Sequence, residues 1–355
     1  MLQTILATLV SFMISVLSTP LVILLAKKWQ LVDDLRKRSH PANTHIGIIP
    51  RAGGIPVVLA IIVAIWLFIP INKLLLGILI GAILIVIIGI IDDKYDISPY
   101  WRFIFNIAIV VLVIGFGLGI PYVGNPLGGI IRLDTVVIKF FLLGEHKFLL
   151  IANLFSIIWI VAMMNFVNWS KGVDGQMPGF VAIAAFFLGI LALRFAGHTI
   201  AAVDVSMLAF IVAGAHAGFL LFNIYPQKIM PGYGGGALAG YFLGVLSILS
   251  WAKLGTLVLV LSIPLTDAIY VILRRLKNRK SPFIGDAGHF HHRLLEIGWG
   301  KQRVAVFYWI VSVLFGFSSL FLKGKEKILA FMIVGISLAV FINIANKIKK
   351  IQGVS

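Results

Sequence analysis

The stretch Leu74-Leu-Leu-Gly-Ile-Leu-Ile-Gly-Ala-Ile-Leu-Ile-Val-Ile-Ile-Gly-Ile-Ile91-Asp92-Asp93-Lys94-Tyr95-Asp96 decides the fold. Its apolar part is uncharged and close to the ~20 residues a helix needs to cross a bilayer. Comparable runs recur along the whole chain, roughly over 3–26, 54–70, 74–91, 102–120, 148–164, 178–195, 203–222, 236–252, 254–273, 303–322 and 326–346. The first has no basic residue ahead of it and is too long for the apolar region of a signal peptide, so it is expected to stay as a span. No segment between the runs is long enough for a separate soluble domain. The expectation is one polytopic domain over residues 1–355, an all-α integral membrane protein of about eleven transmembrane helices.

Composition agrees. Of 355 residues, 60% are hydrophobic and 12% charged, with a mean hydropathy of +1.06. Soluble domains carry about 25% charged residues, which excludes an ordinary soluble enzyme, and the wealth of Ile, Leu, Val and Phe excludes disorder. Thirty Lys and Arg against 13 Asp and Glu give a formal charge of +17. On a soluble chain that excess would suggest nucleic acid. Here 21 basic residues fall on one side of the expected spans and 9 on the other, which reads as topology: N-terminus out, C-terminus in. The expected partner is therefore the lipid bilayer, with no nucleic acid. Nine of the 13 acids lie on the same, cytoplasmic side. The chain has no cysteine, so disulfides, iron–sulfur clusters and thiolate zinc sites are excluded.

Three constellations on that side could carry chemistry. Asp92 and Asp93 follow directly on an apolar run, and Ser98-Pro99 makes a helix N-cap and first-turn pair for the next. Adjacent carboxylates at a lipid boundary repel each other, so a cation or a proton acceptor is the expected partner. They suit Mg²⁺ binding or general-base work; the plain alternative is a solvated interfacial turn. The stretch Asn165-Phe-Val-Asn168-Trp-Ser-Lys171-Gly-Val-Asp174-Gly175 closes the fifth run with amides and a carboxylate on a glycine-rich turn. It suits a metal ion or sugar hydroxyls, or is simply a helix C-cap and turn.

The third, Ser281-Pro-Phe-Ile-Gly-Asp286-Ala-Gly-His289-Phe-His291-His292-Arg293, reads as a short helix over 287–297 capped by Asp286 and ended by Gly298. Imidazoles and Arg293 at a helix N-terminus would make an anion site suited to a diphosphate. Zinc and a merely exposed polar helix are the alternatives, although the spacing is not that of a zinc helix motif. His45 and Arg51 precede the second run beside Gly53-Gly54, and Asp267 precedes the basic cluster Arg274 to Lys280.

Taken in order, Asp92-Asp93, Asn-x-x-Asn before Asp174-Gly175, and Asp286-x-x-His289-x-His291-His292 resemble the polyprenyl-phosphate N-acetylhexosamine-1-phosphate transferase superfamily, glycosyltransferase family 4. The likeness runs from about residue 40 to 305. It is nearest the undecaprenyl-phosphate GlcNAc-1-phosphate transferase branch in the segments His45 to Gly54 and Ser281 to Arg293. The resemblance implies transfer of a sugar-1-phosphate from a UDP-sugar, UDP-GlcNAc in that branch, to undecaprenyl phosphate with release of UMP. It also implies Mg²⁺ or Mn²⁺, a bacterial plasma membrane with the site on the cytoplasmic face, and a role in cell-wall, lipopolysaccharide or teichoic acid biosynthesis; it allows a homodimer.

By the same resemblance Asp92 and Asp93 are catalytic, and Asp174 and Asp92 are metal ligands. His45, Arg51, Asn165, Asn168, Asp267, Asp286, His289, His291, His292 and Arg293 would bind substrates. Two positions depart from the family pattern. Lys171 stands where Asp-Gly-x-Asp-Gly begins. Tyr233, in Pro231-Gly-Tyr-Gly-Gly-Gly236, stands where a Met-Gly-Asp run supplies the Mg²⁺-binding Asp. A phenol with a pKa near 10 is a poor Mg²⁺ ligand. Three readings stay open: the remaining acids hold the ion differently, Lys171 replaces part of its charge, or the chain binds polyprenyl phosphate or nucleotide without turnover. A muramoyl-pentapeptide phosphotransferase is the alternative within the family. A transporter would place ionisable residues at mid-membrane depth, and their position at loop edges disfavours it.

Overall fold

The computed structural model describes residues 1–34, 47–125, 128–141, 145–194, 200–250, 254–281 and 288–351. Helix α1 (Leu2–Lys28) leads into strands β1 (Val32–Asp34) and β2 (Ile48–Pro50), then α2 (Gly54–Phe68), α3 (Lys73–Tyr95) and α4 (Pro99–Gly115). Strands β3 (Tyr122–Gly124), β4 (Ile130–Arg132), β5 (Val137–Phe141) and β6 (Glu145–Leu149) precede α5 (Leu150–Trp169). There follow α6 (Gln176–Leu193), α7 (Ile200–Asn223), α8 (Gly232–Leu249), α9 (Leu254–Val260), α10 (Ser262–Lys277), α11 (Phe290–Glu296), α12 (Lys301–Ser319) and α13 (Gly324–Ile351).

Every expected apolar run coincides with a helix, and the helices differ in whether their length and composition suffice for a span. Among the described residues, eight helices are long and apolar enough to cross a membrane: α1, α3, α5, α6, α7, α8, α12 and α13. The pair α9 and α10, bent by 84°, makes a ninth if taken as one broken span. Helix α2 has 15 residues and α4 has 17. At 1.5 Å per residue α2 covers only about 22 Å. It stops at Phe68 because Ile69 precedes Pro70 and is driven to an extended conformation, φ −122° and ψ 127°. The break between α9 and α10 also follows from proline. Pro264 has no N–H for the Val260 carbonyl four residues back, and the Ser312 hydroxyl of α12 donates to that carbonyl instead, at 3.1 Å.

The fold is mostly helical, as expected, but not wholly so: among the described residues three two-stranded antiparallel sheets pair β1 with β2, β3 with β4 and β5 with β6. In the first, Asp33 lies opposite Ile49 and Val32 opposite Pro50.

Helix α8 is the axis of the bundle, buried along almost its whole length and packed on α5, α3 and α2. Lipid tails are as apolar as Leu, so helices in a membrane associate by close fit, and small residues allow it. Gly234 lies against Gly89 of α3, and Gly236 lies against Asn168 of α5. These backbone approaches bring the carboxylates ending α3 and the amides ending α5 to the N-terminus of α8. Exposed apolar side chains on α1, α12 and α13, such as Leu17, Leu314 and Ile336, form the outer surface that lipid would cover.

Candidate active site

Asp92 and Asp93 end α3 as the run of 74–91 led one to expect, and both are buried. Asp96 closes the helix in the left-handed region, φ 53°. Carboxylates in a last turn face the negative end of the helix dipole, so their counter-charges come from elsewhere. Asp93 Oδ1 accepts from the Tyr233 N–H at the start of α8, 3.2 Å, and lies 3.3 Å from Arg51 Nη2. Arg51 also reaches the buried Asp33 at 3.7 Å.

Asp92 Oδ1 lies 2.6 Å from Arg102 Nε in the first turn of α4. That N–H is aimed at the Ile97 carbonyl, 2.8 Å, so Asp92 has an ion pair there without a hydrogen bond. Arg102 Nη2 donates to Asp96 at 3.0 Å. Backbone pairing fixes Arg51: its N–H donates to Leu31 O at 2.9 Å, and Met230 N donates to Pro50 O at 2.8 Å.

Lys171 enters this cluster from the turn after α5. Its ammonium donates to the Gly232 carbonyl at 2.6 Å, and Gly232 itself, at φ +68°, lies against Asp93 Oδ2 where a Cβ could not fit. Burial pulls the Lys171 pKa down to about 7, while Asp93 and Asp92 pull it upward and Arg51 and Arg102 press it down. The neighbouring residue, Gly172, packs against Nε2 of His291. Lys171-Gly172 thus joins the carboxylate cluster to the histidine segment.

That segment corrects the expected helix 287–297. Helix α11 begins at Phe290 with His289 as its N-cap and ends at Glu296, two residues before Gly298 at φ +92°. Its N-terminus is not an open anion site, because Asp267 of α10 fills it. Asp267 Oδ1 accepts from the Phe290 N–H at 2.8 Å and Oδ2 pairs with His289 Nδ1 at 2.9 Å. Asp267, expected to bind substrate, is 1% exposed and clamps α11 to α10.

His291 stacks on His289 with ring centroids 5.6 Å apart and meets His292 at 4.4 Å. Burial holds its pKa well below the usual histidine range, and positive charge on His292 or His289 lowers it further. Trp169 packs beside His289, with the Arg275 guanidinium 5.9 Å from its ring centre. Arg293 donates to Glu296 at 3.1 Å. Both line a polar opening of about 380 Å³ with Arg274, Arg275, Asn278 and Lys280.

The amides divide. Asn168 packs against Gly236 of α8, whereas Asn165 Nδ2 donates back to Val161 O of its own helix at 2.7 Å. Asp174 is held by Lys301 Nζ at 3.2 Å and the Gln227 N–H at 3.2 Å. His45 and Asp286 lie outside the described residues. Asp33, Arg102 and Lys301 were not singled out by the sequence, where they count only as loop or topology charges.

The expected metal ligands do not form a metal site as arranged. Mg²⁺ is usually held by one or two free carboxylates with water and substrate phosphates. Here Asp92, Asp93 and Asp174 each face a side-chain cation, and Lys171 takes the Gly232 carbonyl. The Tyr233 hydroxyl donates to Asn106 Oδ1 at 2.9 Å, turned toward α4. Among the described residues no group of three or more His, Asp or Glu is placed to hold an ion.

These features define a multi-pass membrane protein with a charge-lined polar site at one end of its bundle. The sequence pattern of glycosyl transferase family 4 matches residues 75–251, and the chain belongs to that family of polyprenyl-phosphate N-acetylhexosamine-1-phosphate transferases. It is similar, at 26% identity over 98% of its length and 92% of the relative's, to the probable undecaprenyl-phosphate N-acetylglucosaminyl 1-phosphate transferase of Bacillus subtilis. It is 28% identical, over 81% of its length and 76% of the relative's, to the undecaprenyl-phosphate alpha-N-acetylglucosaminyl 1-phosphate transferase of Escherichia coli. It is also 24% identical, over 89% and 92%, to the phospho-N-acetylmuramoyl-pentapeptide-transferase of Orientia tsutsugamushi.

Proposed function

We propose that this protein transfers GlcNAc-1-phosphate from UDP-GlcNAc to undecaprenyl phosphate at the cytoplasmic face of a bacterial plasma membrane, as a first step of cell-envelope glycan synthesis. The observation that carries the reading is the junction at Lys171-Gly172, where the carboxylate cluster and the histidine segment become one site. An oxygen of the lipid phosphate attacks the donor's β-phosphorus. The bond from that phosphorus to the bridging oxygen breaks, and UMP leaves with the electron pair. The attacking oxygen is already anionic, so the step needs charge neutralisation and alignment more than a base.

Asp92 and Asp93 serve it by holding Arg102 and Arg51 in place. Lys171 lies between the two halves. Arg293, on the polar opening, faces the donor's diphosphate and sugar, with His289, His291 and His292 packed behind it, and Asp174 with Asn168 faces the nucleotide. Membranes containing the protein, incubated with labelled UDP-GlcNAc and undecaprenyl phosphate, are expected to form labelled lipid and UMP. Absence of product with any UDP-N-acetylhexosamine, from folded protein that binds donor, overturns the proposal. A second reading, a binding protein without turnover, is favoured by Tyr233 and Lys171 at the two family Asp positions. Product formation abolished by Asp93→Asn would exclude it.

A further inference from the structure

We propose that Lys171 is the resident phosphate-binding cation of this site, standing in for the divalent ion, so that substrate binding and transfer proceed without Mg²⁺ or Mn²⁺. The inference rests on the transferase reading above and extends it to the source of positive charge. Three observations converge on it. The candidate ion ligands already face resident cations: Arg51 lies on Asp93 and Asp33, Lys301 on Asp174, and Arg102 beside Asp92, whose carboxylate it neutralises without a hydrogen bond. The residue at the expected ligand position, Tyr233, directs its hydroxyl to Asn106 and away from Asp93, with its ring against the Arg102 guanidinium at 5.4 Å. Lys171 itself holds a backbone oxygen at the junction, Gly232 O.

An ammonium carries three donors. Gly232 O is the acceptor Lys171 has among the described residues, which leaves two N–H groups for phosphate oxygens. A divalent ion entering here would have to displace the ammonium from Gly232 O and settle beside two guanidinium groups, against like-charge repulsion. A phosphate entering instead meets Lys171 with Arg51 and Arg102 close behind. In the transfer step the oxygen–phosphorus bond forms and the bond to UMP breaks as described above, with Lys171 neutralising the oxygens of the transferred phosphoryl group. No proton has to move.

The test uses the purified full chain in nanodiscs. Mn²⁺ binding is read by electron paramagnetic resonance, and undecaprenyl phosphate and UDP-GlcNAc affinities are measured in excess EDTA and in Mg²⁺. The wild type is expected to show no stoichiometric Mn²⁺ site, and affinities and transfer rates equal within about twofold in EDTA and Mg²⁺. Lys171→Met is expected to lose about 10- to 100-fold in phosphate-ligand affinity, the worth of a charge-assisted hydrogen bond, with recovery in Lys171→Arg. The double substitution Lys171→Asp with Tyr233→Asp is expected to gain both a Mn²⁺ site and Mg²⁺-dependent binding.

A stoichiometric Mn²⁺ site in the wild type, binding that requires Mg²⁺, or no binding of either probe overturns the proposal. The wild-type measurements stand even if a variant fails to fold. Binding in EDTA without product under any condition refutes the transferase reading and leaves Lys171 as the phosphate cation.

Discussion

Gly89→Ala tests whether backbone contact between α3 and α8 sets the position of the paired carboxylates. Gly89 lies one helical turn before Asp92 and Asp93. A methyl group built on it would stand 2.6 Å from the amide nitrogen of Gly234 and closer still to its α-carbon. Both atoms are backbone, so nothing can rotate aside. Ordinary contact begins near 3.4 Å and the α-carbon would stand at 2.3 Å, so the end of α3 must withdraw by about 1.1 Å to reach it. The Tyr233 N–H to Asp93 bond, now 3.2 Å, would then lie beyond hydrogen-bonding reach, and the Arg51 pair would loosen with it.

Overpacking of this kind costs about 1–3 kcal/mol. Alanine regains about 0.8–1.0 kcal/mol of helix propensity over glycine, leaving a net loss of about 0–2 kcal/mol. The functional loss is larger, since a displacement near 1 Å can cost about 100-fold in rate. The expected result is a small fall in melting temperature with a drop of about 10- to 100-fold in labelled-lipid formation. Gly115→Ala, at a helix end with open space around it, is the matched control and should change neither. A Gly89→Ala protein with at least half the wild-type rate would refute the claim that this contact positions the site.

Three further outcomes follow from individual side chains. Asp267→Asn keeps one acceptor but loses the charge that holds both His289 and the Phe290 N–H. It should cost about 1.5–3 kcal/mol, seen as faster hydrogen exchange over 289–296 and weaker donor binding. His291 is neutral in the folded site, with its pKa below the unfolded value near 6.5. The unfolded chain therefore binds the extra proton first, and stability should fall as pH drops through 6.5, by at most about 1.4 kcal/mol per pH unit. Melting curves from pH 8 to 5 should show this loss shrink in His291→Asn. Lys301→Met strips the nearly buried Asp174 of its ammonium and should destabilise by about 1–3 kcal/mol, whereas adding Asp174→Asn should restore most of the loss; a cycle with no coupling would deny the pair.

The helices were legible because hydropathy alone marks them, and the order of the polar motifs was legible because each sits where an apolar run ends. Helix ends were set by signals already in the chain, Pro70 shortening α2 and Pro264 breaking α10 from α9. Strands of three residues, as in β1 to β4, or five, as in β5 and β6, carry too little alternation to be read in advance, and the pairing of the site was not legible either, for a physical reason. Lys and Arg serve both as topological anchors and as partners of buried acids, and nothing local in the sequence separates the two uses. Exposure does. The side chains of Arg51, Arg102 and Lys301 are 16%, 24% and 17% exposed, against 68% for Arg132.

Arg51, Arg102, Lys171 and Lys301 thus belong to the site rather than to the orientation count. Removing them from the 21 leaves 17 basic residues against 9 in the division that eleven expected runs imply. The same subtraction changes the meaning of the scarce acids. Asp33, Asp92, Asp93 and Asp174 are the counterweights of three cations, Arg51, Arg102 and Lys301, while Lys171 is held by the Gly232 carbonyl; in the reading proposed above, the positive charge offered to an incoming phosphate comes from these side chains.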